Sequence, residues 1–331
     1  MPSPFPKSSS APGEGRIIVS LRPNNTSGLE HITYQYPLKL ISPSPKVDQT
    51  SVLVFLLSYG GGLVGGDNVD LSIEVRAGAK LTIVTQGHTK IFPSASLDVV
   101  TRQTLRVDLE KDAALCLLPD PVQPFEKSVY EQTQVFNVAH GASLCLLDWV
   151  THGRSARGEN WSLTSWIGRN EIWVPKSPDT PKRRLLVRDA IILDGTPSAS
   201  SQIQSLYDSM YNNAIVGTLI LRGPLMQKVG EFFLSEFAAL PRIGARDFRN
   251  DETRKAEEAV SRPPIEQWRA TRLAQERANT LLWSAASVRG CVVVKFGAAT
   301  VEAGRSWLGS MLLQEGSIER EFGEQALISV R

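Results

Sequence analysis

The strongest constraint on the fold is a unit that occurs three times. "AGAKLTIVTQGH" (77–88), "KDAALCLLPDPV" (111–122) and "HGASLCLLDWVT" (140–151) superimpose without gaps. Ala79, Ala113 and Ala142 coincide, as do Leu81, Leu115 and Leu144, and Ile83, Leu117 and Leu146. Apolar residues two apart share one face of a strand. Similar strands at regular intervals, with other strand patterns between them, predict a stack in which each layer covers its neighbour. The expected fold is therefore mainly β, a layered or β-helix-like stack of strands. A few helices pack on it, mostly in the C-terminal half. "TQGHTK", "PDPVQPF" and "DWVTHGRSARGE", which follow the three units, should then lie near one another. Cys116 and Cys145 hold equivalent positions between inward leucines, so they face the other side of the sheet as small buried hydrophobes.

Strand patterns with regular turn residues continue to about residue 175, and Trp161, Trp166 and Trp173 suit strands. Beyond Pro175 the character changes. "NNAIVGTLILRGP" and "RGCVVVKFGA" read as strands, while Met226, Val229, Phe233 and Phe237 fall on one helical face. Nine basic and seven acidic side chains between Arg242 and Arg277 nearly cancel, which predicts a solvated helical surface. Residues 1–15 read as a disordered Pro/Ser-rich tail. Residues 16–331 read as one β-rich domain with a charged, helical insertion at about 242–280.

Composition excludes several functions. A formal charge of +2 over 331 residues gives no electrostatic case for nucleic acid or an acidic membrane. Three cysteines cannot all pair within the chain, which fits a reducing compartment. "MPSPFPKSSSAPGEG" lacks the apolar core of a signal peptide, and no segment reaches ~18 uninterrupted apolar residues. The expected location is the cytoplasm, away from membranes.

"SYGGGLVGGDNVD" (58–70) satisfies a dinucleotide-binding spacing through Gly60, Gly62 and Gly65. Such a turn must open into a helix whose N-terminus holds the pyrophosphate. Here Val69, Leu71, Ile73 and Val75 alternate with polar residues, so a strand follows instead. Gly60, Gly61, Gly62, Gly65 and Gly66 then serve backbone geometry, either in a plain hairpin or in a crowded turn beside a site that holds Asp67.

"DWVTHGRSARGE" carries Asp148, His152, Arg154, Arg157 and Glu159. Two readings fit it: the two arginines hold the two acids in a rigid network, or, as such charge runs favour, the segment is a surface turn with ordinary ion pairs. His88, Asp120 and the cysteines add potential ligands. No pair shows the spacing of a closed metal site, so a transient carboxylate-lined passage is the most a divalent ion could use. Nucleophile motifs and phosphate loops are absent from the sequence. One alternative is a carbohydrate-active enzyme on a β-helical scaffold. It would use Asp67 and Asp148 as paired carboxylates and tryptophans along a groove.

In order, "YPLKLISP", "YGGGLVGGD", "VTQGHTKIFPS", "LPDPVQPFEKSVYEQ", "DWVTHGRSARGE" and "VRGCVVVKFGA" resemble the urease accessory protein D family, called H in some bacteria. The resemblance covers most of residues 30–310. The tail and the charged stretch look like additions of a eukaryotic member. It implies a non-enzymatic maturation factor that binds apo-urease, a helical accessory protein (F type) and a GTPase accessory protein (G type). GTP hydrolysis belongs to that last partner, and nickel passes transiently with no tightly bound cofactor. The family's proposed water-filled nickel route, carried onto this chain, is lined by Asp67, Asp148 and Glu159. Gln86, His88, Thr89, Lys90, Asp120, His152, Arg154 and Arg157 shape its wall or an interface.

Overall fold

The computed structural model describes residues 11–45, 49–176, 182–196, 206–240 and 263–331. Two sheets dominate it. The chain enters through β1 (Glu14–Leu21), β2 (Ser27–Tyr34), β3 (Leu38–Ile41) and β4 (Val52–Ser58). It then winds between the sheets. β5 (Asn68–Val75), β8 (Thr101–Leu109) and β11 (Val129–Val138) lie parallel in one. β6 (Lys80–Val84), β9 (Ala114–Leu117) and β12 (Ser143–Thr151) lie parallel in the other. Each passage adds one strand to each sheet, as a β-helix-like stack requires.

The repeated unit is the layer. Leu81 registers with Leu115 and Leu115 with Leu144, while Ile83 registers with Leu117 and Leu117 with Leu146. All six enter one apolar core with Leu71, Ile73, Val107 and Phe136 of the facing sheet. Full burial of each such side chain is worth about 1.5–3 kcal/mol. Cys116 registers with Cys145 and points the other way, into a second core under the helices.

Both sheets close with antiparallel strands. β13 (Ser165–Pro175) joins β11 in parallel and carries β14 (Arg183–Asp194) at the edge. On the opposite side, β15 (Ile215–Arg222), β17 (Cys291–Ala298) and β16 (Leu282–Val288) extend outward from β12. Trp166 and Trp173 lie on β13. Trp161 does not lie on a strand: it sits just before, at φ 55, with its Nε1 donating to the Asn213 carbonyl at 2.8 Å. A left-handed residue cannot continue a strand, so turn chemistry overrides its β preference.

A short helix, α1 (Leu206–Ser209), sends Leu206 against the core between the sheets, and four more cover the outer face of the second sheet: α2 (Gln227–Ala238), α3 (Pro264–Ala278), α4 (Val301–Glu315) and α5 (Ser317–Phe322). α4 starts where the Thr300 hydroxyl accepts from the Ala303 N–H at 3.0 Å and ends at left-handed Gly316. The described part of the expected charged surface is solvated along most of α3, with two exceptions. Arg272 and Glu276 of α3 are buried, and Arg272 reaches buried Glu236 of α2 at 3.1 Å. Arg269 also holds Glu236, and Trp283 and Trp307 donate to Glu276. Four charges thus dock α3 on α2, amid Phe232, Phe233 and Trp268. Residues 242–262 lie outside the described residues, as do 1–10 of the expected tail, within which β1 already begins at Glu14. No helix among the described residues is long and apolar enough to cross a membrane.

Leu115→Ala, at the centre of the ladder, should lower unfolding free energy by about 2–5 kcal/mol in a denaturant titration. Leu97→Ala, at a 62% exposed position, should change it by less than about 0.5 kcal/mol.

Candidate functional site

The segments after each repeated unit do gather. Beyond β6, residues 89–91 form β7 (Thr89–Ile91), which pairs in parallel with β10 (Val122–Pro124), and Val122 registers with Val150 of β12. The glycine-rich segment joins this corner through Leu63, which bridges to Ile91 and whose N–H donates to the Lys90 carbonyl at 2.8 Å. A Cβ at Gly62 would lie 2.7 Å from that carbonyl, so only glycine permits the approach. The plain hairpin reading is thereby corrected: β4 and β5 belong to different sheets, and the turn carries the chain across.

Gly60, Gly61, Gln86, His88, Thr89 and Lys90 line one cleft of about 300 Å³. Behind it Asp120 is buried. It accepts from the Thr85 hydroxyl and the Gly87 N–H, both at 2.9 Å, and from Arg305 of α4 at 2.8 Å. Burial holds the His88 imidazole below its ordinary range, against a Gln123 hydrogen bond and the Asp120 charge that pull it up. His88 is therefore neutral at pH 7.

Glu159 is buried and fully engaged. Its Oε1 takes Arg154 Nε at 2.8 Å together with Nη2, and its Oε2 takes the Arg154 N–H at 3.0 Å and the Glu126 N–H at 3.3 Å. Burial alone would raise its pKa, but Arg154 and the two backbone donors outweigh it and hold the carboxyl below its usual range. Arg154 also lies over the Phe125 ring, 4.2 Å from its centroid. Arg157 is exposed, and His152 hydrogen-bonds within its turn to the Gly153 carbonyl at 3.0 Å.

Asp148 is not held by either arginine. Strand alternation turns it into the space between the sheets, and the network expected with Arg154 and Arg157 is corrected to an amide one. Gln132 Nε2 donates to its Oδ1 at 2.9 Å and Asn170 Nδ2 to its Oδ2 at 2.6 Å. Two registered rows face each other here. In one sheet Gln134, Asn170 and Asp189 are neighbours across β11, β13 and β14; in the other Asp148, Thr218 and Lys295 are neighbours across β12, β15 and β17. Lys295 Nζ reaches Asp189 at 2.5 Å, and the lysine side chain is 50% exposed. A polar seam therefore runs from the buried core to the surface. Burial raises the Asp148 pKa; the Asn170 and Gln132 bonds and the Lys295 charge act the other way, and nearby Asp189 adds to the rise.

Asp67 is half-buried and closes its own turn, accepting from the Val64 N–H at 2.9 Å. Asp67, Asp148 and Glu159 have separate partners, and no group of three or more His, Cys, Asp or Glu among the described residues is placed to hold a metal. Gln132, Gln134, Asn170, Asp189, Lys295 and Arg305 had no place in the sequence reading. One signal was available for four of them: Gln132 and Gln134 share the inward phase of Tyr130, Phe136 and Val138, as Asn170 does that of Trp166 and Ile172, and Asp189 that of Val187.

Comparison with known proteins points to one family. The model of the UreD urease accessory protein family matches residues 12–328. The "uncharacterized urease accessory protein ureD-like" of Schizosaccharomyces pombe is 34% identical over 296 residues, covering 89% of this chain and 91% of that one. Urease accessory protein 4 of Cryptococcus neoformans is 35% identical over 237 residues, covering 64% and 71% respectively. Urease accessory protein UreD of an Anaeromyxobacter species is 31% identical over 238 residues, covering 72% and 74%.

Two outcomes follow from the seam and from the Glu159 cluster. A carboxyl with a raised native pKa stabilises the fold below its unfolded pKa, and that contribution is lost as pH rises through the native one. The stability of the wild type relative to Asp148→Asn should therefore fall from pH 4 toward neutral in paired urea titrations; a flat difference would contradict the burial of this carboxyl among Tyr130, Asp189 and Lys295. Glu159→Gln should cost about 1.5–3 kcal/mol at pH 7 by the same method, the worth of hydrogen bonds to a charged group.

Proposed function

The chain belongs to the UreD urease accessory protein family, and from that premise we propose how it serves urease maturation. It acts without catalysis of its own, as a scaffold that binds apo-urease together with a helical accessory protein and a GTPase accessory protein. It assists nickel to the urease active site, and any GTP hydrolysis is the partner's. The family match over residues 12–328 carries this reading, because it embraces both sheets and the described helices.

The seam between the sheets supports Asp148 as a contact on the nickel path. Oxygen and amide donors hold a divalent transition metal weakly compared with imidazole or thiolate. Weak holding suits passage and is poor for storage. Asp67 and Glu159, with their separate partners, act as further contacts along the path. Gln86, His88, Thr89, Lys90, Asp120, His152, Arg154 and Arg157 shape its wall or an interface. The sugar-enzyme alternative gains no support: Trp161 and Trp166 are buried, Trp173 lines a cleft that holds neither Asp67 nor Asp148, and Asp148 is enclosed by amides.

Tagged co-purification tests the scaffold role. The chain, expressed with apo-urease and the two accessory proteins, should retain all three partners, and Asp148→Asn should retain them too. Failure of the unmutated chain to retain either urease or the helical protein would overturn the proposal.

A further inference from the structure

The cleft at the glycine turn has a charge that a nickel path does not explain. Its lining contains Lys39, Lys90 and a neutral His88, and no acidic residue. Neither lysine has an ion-pair partner among the described residues; Lys90 is exposed, and the Lys39 ammonium sits 5.4 Å from the centroid of the Tyr59 ring. Uncompensated ammonium groups repel a divalent cation and attract carboxylates.

The cleft also has the shape of an interrupted sheet. β4 pairs with β6 only from Val52↔Leu81 to Phe55↔Val84. Past that point β4 continues to Ser58 against β3 alone, while the other chain turns off through Gln86 and Gly87 toward β7. Leu56, Leu57 and Ser58 form one wall, and Thr85 to Lys90 form the other. Gly60, Gly61 and Gly87 have positive φ, and nothing lies within 4 Å of where their Cβ atoms would stand. No side chain of their own thus fills the wedge from these three positions. At its rim two exposed rings stand together: Tyr36 and Tyr59, 60% and 41% exposed, with centroids 5.9 Å apart.

The geometry points to a docking site for an extended acidic peptide segment of a partner protein, laid into the gap between Leu56–Ser58 and Gln86–Lys90. Carboxylates at alternate positions of the peptide face Lys39 and Lys90, since alternate side chains of an extended chain share a face. An apolar residue of the same segment packs on the Tyr36–Tyr59 pair, the kind of amphipathic contact on which interfaces concentrate their energy. This inference is independent of nickel passage and of which partner supplies the segment.

Fluorescence anisotropy of the full chain with a labelled decapeptide of alternating Glu and Val tests it. The peptide should bind, more weakly as salt rises, and at least tenfold more tightly than its Gln–Val counterpart. K39E/K90E should weaken binding at least tenfold, and Tyr59→Ala should weaken it severalfold, with melting temperatures close to wild type. Lys228→Glu, on an exposed position of α2, should leave it unchanged. Equal binding of the two peptides, or equal binding by K39E/K90E, would overturn the proposal. So would displacement of the peptide by acetate at equal carboxylate concentration, which would mark a site for free small anions.

Discussion

In-register burial of the leucine ladder is the interaction on which everything else rests. Leu81, Leu115 and Leu144 fix which residues of successive layers are neighbours, and a shift of one residue in any layer would turn its apolar set outward. Register fixed in the core fixes it outside the core as well. It brings Thr89, Val122 and Val150 side by side, gathering three remote segments at one corner. It also aligns Asp148 with Thr218 and Gln134 with Asn170, creating a polar seam whose pairings only the register specifies.

The same core makes the seam costly. An ionised carboxylate between two sheets loses its hydration, and among the described residues Gln132, Asn170 and, at a distance, Lys295 compensate. Buried charges are replaceable by apolar residues without loss of stability in other proteins. Retaining Asp148 at a position where leucine would pack therefore points to a role beyond stability. The Glu236–Arg272–Glu276 cluster differs in this respect. It lies between helices, among aromatic rings, and its work is to dock α3 on α2.

Much of this was legible in the residues. The three repeated units predict parallel layers, and the alternation after Asp67 excludes a nucleotide turn; the structure agrees on both. Period-2 and period-3.6 patterns locate strand 68–75 and helix 227–238 because each has one buried face. What was not legible depends on contacts between distant segments. Asp148 lies six residues from Arg154, yet the strand points it to the opposite environment, and its partners come from β11 and β13. Arg272 reads as a solvated charge until α2 presents Glu236 to it.

The central claim is that the seam serves nickel delivery and is dispensable for the fold. Replacing Asp148, Gln132, Gln134 and Asn170 together by leucine, and Tyr130 by phenylalanine, removes the acid along with the buried amides and hydroxyl bonded around it. The decisive measurement is the nickel content of urease matured with this variant, against urease matured with the wild type. With melting temperature and partner retention preserved, the account predicts a severalfold drop in nickel per urease. Unchanged nickel content in the same samples would contradict it.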